Sequence, residues 1–200
     1  MAYFDSFSNQ EKELLFSLPY RTGLWISQSD TTGGDDSEAA EKQALESILT
    51  GFSQDFCKSE IAEEALQGTL ANKDHWDRWA AQAESFLDDC AQAVKLMSLN
   101  GTAMEVHEYK HNLVDIATTI AMAYNEMDSD SMPFSTKLST YGRYYWRLFV
   151  AKIRKKQPPQ WNELNISQAE NKALQTLAKT LGYNAADEEA LRNAKRAATA

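Results

Sequence analysis

The stretch DHWDRWAAQAESFLDDCAQAVKLMS, residues 74–98, decides the fold. At about 100° per residue, Trp76, Trp79, Ala80, Ala83, Phe86, Leu87, Cys90, Val94 and Met97 fall in one arc, the signature of an amphipathic helix. The spacing predicts one helix from Asp74 to about Ser98, packed along its whole length. Asn100-Gly101 then marks a turn, and Thr102 to Tyr124 repeats the pattern with Val106, Tyr109, Leu113, Ile116, Ala117, Ile120 and Tyr124. Two such helices joined by a short turn form an antiparallel hairpin.

Working towards the N-terminus, Ser59 to Asn72 reads as a shorter helix of Ile61, Ala65 and Leu66. Before it, a helix starting near Ser37 puts Glu38 and Glu41 in its first turn or so, where acids suit the helix dipole, and sets Ala44, Ile48 and Phe52 on one side. The first helical segment, Ser8 to Ser29, has its apolar residues spread around the circumference and Pro19 inside it. A proline there removes a hydrogen bond and clashes with the preceding turn, so a kink or a split is expected. Towards the C-terminus, Asp128 to Ser139 is a loop, and Thr140 to Lys156 is a basic aromatic helix that ends at Gln157-Pro158-Pro159. Ser167-Gln168-Ala169-Glu170 is a capping-box pattern that opens a helix running to Leu181, with Gly182 as its C′ residue. A short helix follows from about Ala186.

Composition agrees with this pattern. The chain has 200 residues, 43% of them hydrophobic, with 8 glycines and 4 prolines, so it holds enough apolar mass for a core and few strand or turn punctuators. The expected architecture is all-α: a single-domain helical bundle of seven or eight helices in two related halves, with residues 128–166 as an insertion. The N-terminal sequence lacks a basic region followed by an apolar run, and no stretch reaches the roughly 20 apolar residues of a bilayer-spanning helix. A soluble, cytoplasmic protein is expected. Cys57 and Cys90 have no metal-ligand spacing and read as reduced thiols.

The net charge of −9 hides an asymmetry: residues 1–100 carry 18 acids and 7 bases, residues 101–200 carry 11 and 13, giving −11 and +2. Acidity at this level opposes general nucleic-acid binding and favours cations or basic protein partners. The acids cluster most at the junction SDTTGGDDSE, residues 29–38. Counted as a calcium loop from Asp30, the junction puts Glu38 at the ninth position and Glu41 at the twelfth, but Thr32 and Gly34 occupy ligand positions and Asp35 occupies the required glycine. It is not a regular EF-hand. A hard divalent cation, calcium or magnesium, could instead be held by the less regular set Asp30, Asp35, Asp36 and Glu38, because close carboxylates repel and a cation relieves that repulsion.

A second constellation lies at HEYKH, residues 107–111. His107 and His111 have the i, i+4 spacing that lets two imidazoles share a metal, and Glu108 with His111 has the Glu-x-x-His spacing of di-iron bundles. With Asp115 they define an alternative reading as a carboxylate/histidine metalloenzyme. The helical wheel places His107, His111 and Asp115 away from the apolar arc centred on Val106, as a solvent-facing polar stripe, and a second Glu-x-x-His is missing. No nucleophile elbow, phosphate loop or dinucleotide fingerprint occurs, which disfavours an enzyme. A third candidate is the basic helix TYGRYYWRLFVAKIRKK, residues 140–156, where Arg143, Arg147 and Arg154 share one face. Such a face either meets nucleic acid, an anionic membrane or an acidic partner, or pairs with the acidic N-terminal half.

Two parts of the chain share a layout. LWISQSD (24–30) precedes SEAAE (37–41), and NLVDIATTIAMAYNEMDSD (112–130) is followed, after the insertion, by ISQAENKALQTLAKTLG (166–182). This resembles the TerB-like family of tellurite-resistance proteins, whose helices end in an Asp-Gly turn leading into a Ser-x-x-Glu helix that closes with Leu-Gly. Here the Asp-Gly turn is replaced by Asp30-Thr-Thr-Gly-Gly-Asp-Asp and by Asn125-Glu126-Met127-Asp128. The resemblance implies an all-helical, stress-associated cytoplasmic binding or scaffold protein without catalysis. It also implies a divalent cation held by acidic turn residues: Asp30 and Glu38 in the first half, Glu126, Asp128 and Glu170 in the second.

Overall fold

The computed structural model describes residues 3–29, 38–55, 59–127, 166–184, 186, 187 and 191. They contain seven α-helices, are 87% helical and include no strand. The helices are α1 (Asn9–Ser27), α2 (Glu38–Asp55), α3 (Glu60–Ala71), α4 (Trp76–Ala80), α5 (Phe86–Asn100), α6 (Ala103–Met127) and α7 (Gln168–Leu181). Among the described residues no helix is long and apolar enough to cross a membrane. The expected all-α bundle is therefore what the chain forms. The segments 31–37 and 128–165, with the expected basic helix, lie outside the described residues.

α1 packs against all six other helices. That explains why its apolar residues do not keep to one stripe: a helix surrounded by partners has no single inner face. Leu15, Leu18, Tyr20, Arg21, Thr22 and Ile26 are all nearly or wholly buried. Gly23 lets two neighbours close in, since a Cβ there would lie 2.6 Å from a methyl of Leu45 in α2 and 2.8 Å from one of Ile120 in α6.

The expected interruption at Pro19 does not divide α1, which is continuous through it. Proline lacks an N–H, so the carbonyl of Leu15, four residues earlier, loses its helical donor. The hydroxyl of Tyr109 in α6 donates to that carbonyl at 2.8 Å. Tyr109 is completely buried, and burial holds its phenol well above the ordinary tyrosine range, so it keeps the proton it donates. A neighbouring helix thus supplies the bond that the helix's own backbone cannot make.

The single long helix expected over residues 74–98 is the main correction. The chain instead runs through a 3₁₀ turn (Lys73–His75), α4, a second 3₁₀ turn (Ala83–Ser85) and then α5. The apolar side of the pattern is still buried at Trp76, Trp79, Phe86, Cys90 and Met97, while Ala83 is exposed at the break. The cause sits on α1. Arg21 is 3% exposed, and its Nη2 lies 2.6 Å from the Gln82 carbonyl, 3.1 Å from Ser85 Oγ and 2.7 Å from Asp89 Oδ2. The Gln82 carbonyl also accepts from the Ser85 amide at 3.3 Å and the Ser85 hydroxyl at 3.2 Å, and the buried guanidinium adds a charge-assisted donor to this local turn.

Local capping sets three of the helix starts. Ser8 with Glu11 and Ser167 with Glu170 form reciprocal capping boxes, while Ser59 caps α3. The Trp76 indole donates to the Thr69 carbonyl at 3.1 Å, near the C-terminal end of α3, and stacks on Tyr20 of α1 at 4.2 Å. Cys90 is free and buried, and that burial raises its thiol pKa; Cys57 lies outside the described residues.

Candidate functional site

The polar stripe of α6 is not solvent-facing. His107 is 6% exposed, and the side chains of His111 and Asp115 are 23% and 13% exposed. The reading from the wheel is overturned because α7 and the residues after it lie against this side of α6 as well as against α5.

The geometry grows from the end of α7. Gly182 adopts the left-handed conformation, φ 56°, which glycine enters without a Cβ penalty. Its amide bonds back to the Lys179 carbonyl at 3.0 Å, and the Tyr183 amide bonds to the Ala178 carbonyl at 2.9 Å, the pair of bonds of a Schellman cap. This reversal lays the Tyr183 ring over two imidazoles, 5.4 Å from His107 and 5.7 Å from His111, within 30° of parallel to both. The two imidazoles are themselves parallel within 6°, 6.3 Å apart.

A hydrogen bond and an ion-pair contact fix the arrangement. His111 Nδ1 is 2.7 Å from the Tyr183 hydroxyl, and His111 Nε2 is 3.1 Å from Asp115 Oδ2. The Nε2 contact has the distance of an ion pair without the alignment of a hydrogen bond. A carboxylate beside Nε2 favours the proton there, leaving Nδ1 as the acceptor for the phenol. Lys110, one residue before His111, donates to the Gly182 carbonyl at 3.4 Å. Burial lowers the Lys110 pKa and the nearby Asp187 carboxylate opposes that shift.

The expected metal positions separate. Glu170 is 2% exposed, and its Oε2 accepts from the Ser167 amide at 3.0 Å, so this carboxylate closes the start of α7. Glu38 is the first residue of α2 and Glu126 the next to last of α6, with only their backbone described. Asp30, Asp35, Asp36 and Asp128 lie outside the described residues, as do Arg143, Arg147 and Arg154. Among the described residues, no three His, Cys, Asp or Glu side chains gather closely enough to hold a metal ion, the set His107, Glu108, His111 and Asp115 included. Instead, His111 presents its two nitrogens to a phenol and a carboxylate.

Sequence reasoning missed Tyr183, although a signal was present: an aromatic directly after a C′ glycine occupies the position that Schellman caps use for an apolar contact. Compared with known proteins, the chain matches no family model, and no curated protein or solved structure shows significant similarity to it.

Proposed function

We propose that this chain is a cytoplasmic, stress-related helical binding and scaffold module of TerB-like type, which takes protein partners and a divalent cation, calcium or magnesium, at the acidic junction leading into α2. One observation carries the scaffold reading: four polar side chains drawn into the body hold backbone groups. Tyr109 serves the Leu15 carbonyl, Arg21 the Gln82 carbonyl, Trp76 the Thr69 carbonyl and Glu170 the Ser167 amide. Each such bond replaces a solvated group with a fixed one, which stiffens the helices against one another and leaves recognition to surfaces and junctions. The dense carboxylates of residues 30–38 support the cation, by the repulsion it would relieve.

The test is a titration of the metal-free protein with calcium and then magnesium, followed by amide chemical shifts. Saturable shifts between Ser29 and Glu41 that disappear in Asp35→Asn/Asp36→Asn are expected. Unmoved resonances across that junction would remove the cation from the proposal.

A further inference from the structure

The contact between α6 and Tyr183 does more than hold the residues that follow α7. Three groups follow one another: the Asp115 carboxylate at ion-pair distance, 3.1 Å, from His111 Nε2, and the Tyr183 phenol hydrogen-bonded to His111 Nδ1 at 2.7 Å. This is the order of parts in an activated nucleophile, in which a base meets the nucleophile's proton and a third group orients the base. The ring planes are held by stacking, since Tyr183 covers both imidazoles and His107 lies parallel to His111. The Lys110 bond to the Gly182 carbonyl anchors the residue before the phenol.

Two other tyrosines among the described residues lie in different settings. Tyr109 is sealed in the core and donates to a backbone carbonyl, and the Tyr3 phenol is pushed up to about 12 by burial and by Glu105. Tyr183 is only partly buried and meets a nitrogen base.

We propose that Tyr183 is a site of covalent acylation, with an activated ester as the acyl donor, His111 as its general base and Asp115 as the residue that orients His111. The Tyr183 oxygen attacks the ester carbonyl carbon while its proton passes to His111 Nδ1. The bond from that carbon to the leaving-group oxygen then breaks, and His111 returns the proton to the departing oxygen. The products are a tyrosyl ester and a free alcohol or phenol, with no redox change and no further reactant. Between the two proton transfers the imidazolium stands beside the Asp115 carboxylate, which stabilises it. The step is stoichiometric, so it adds a modification site to the scaffold without making it a turnover enzyme.

The full chain is treated with p-nitrophenyl acetate, p-nitrophenolate release is followed by absorbance, and the acetylated peptide is located by mass spectrometry. The expected result is acetylation of Tyr183 faster than that of free N-acetyltyrosinamide. Tyr183→Phe, which keeps the ring and its stacking, should lose that label. His111→Gln should slow it by about a hundredfold, the usual worth of a positioned base. Circular dichroism and a thermal midpoint establish that each variant is folded; should His111→Gln not fold, Asp115→Asn reads the same step and should also slow it. Acetyl groups confined to lysines, a Tyr183 rate no faster than that of the free amide, or an unchanged rate in the folded base or orienting variant would overturn the proposal.

Discussion

At the scale of single residues, Pro19 and Tyr109 form a matched pair. Tyr109→Phe removes one hydroxyl and leaves a buried carbonyl at Leu15 without a donor, for an expected loss of about 1–3 kcal/mol in chemical denaturation. Pro19→Ala gives that carbonyl its helical donor back, so the Tyr109→Phe loss should shrink in the Pro19→Ala background. Equal losses in both backgrounds would show that the two residues are not coupled. The same phenols set an alkaline limit. Tyr3 and Tyr109 have folded pKa values raised above the ordinary value of 10.0, so the folded state retains protons that the unfolded chain releases. Stability is fully present below about pH 10 and falls as pH rises towards 12 and beyond. Denaturation midpoints across this range should decline less steeply in Tyr3→Phe.

At the scale of elements, helix starts and ends obey local rules, and breaks do not. Ser167→Ala removes one arm of a capping box and should cost about 1 kcal/mol. Gly182→Ala places a Cβ in the left-handed region at φ 56° and should cost about 1–2 kcal/mol, with the His111 contact to Tyr183 loosened. Both are measurable as shifts of the thermal midpoint. The capping box at residues 167–170 and the glycine at 182 were legible in the sequence because a cap is a contract among residues a few positions apart. The interruption between α4 and α5 was not, because its cause, Arg21, is 61 residues away from Gln82. Periodicity reports which side of a segment is apolar, and that side was read correctly; it does not report where a distant guanidinium will take a carbonyl out of the helix. The stripe of His107, His111 and Asp115 failed for the same reason, since Tyr183 approaches from 72 residues beyond His111. Arg21→Met should therefore do local and global damage. It removes the cation from Asp89 and the charged donor from the Gln82 carbonyl, which both keep bonds from Ser85, and should cost about 3 kcal/mol, the lower end for a broken buried pair, because Asp89 is 22% exposed.

At the scale of the molecule, the described body is organised around α1. It packs against every other described helix, its proline is served by α6, and its arginine holds the break before α5. Such a body has no helix that can leave without unsettling the central one, except at its edges. α7 is the nearest to an edge: it packs chiefly on α5 and α6, and its following residue is held to α6 by the tyrosine, histidine and lysine contacts. A rigid core with α7 docked at its edge suits a module whose recognition surfaces lie outside the core, while the proposed modification site on Tyr183 lies where α7 is fastened. Native-state hydrogen exchange under mild denaturant tests this organisation most directly. Amides of α1 from Leu15 to Ile26 should exchange only with global unfolding, together with those at the centres of α5 and α6, while α7 opens earlier. Exchange of the middle of α1 ahead of its neighbours would contradict this organisation.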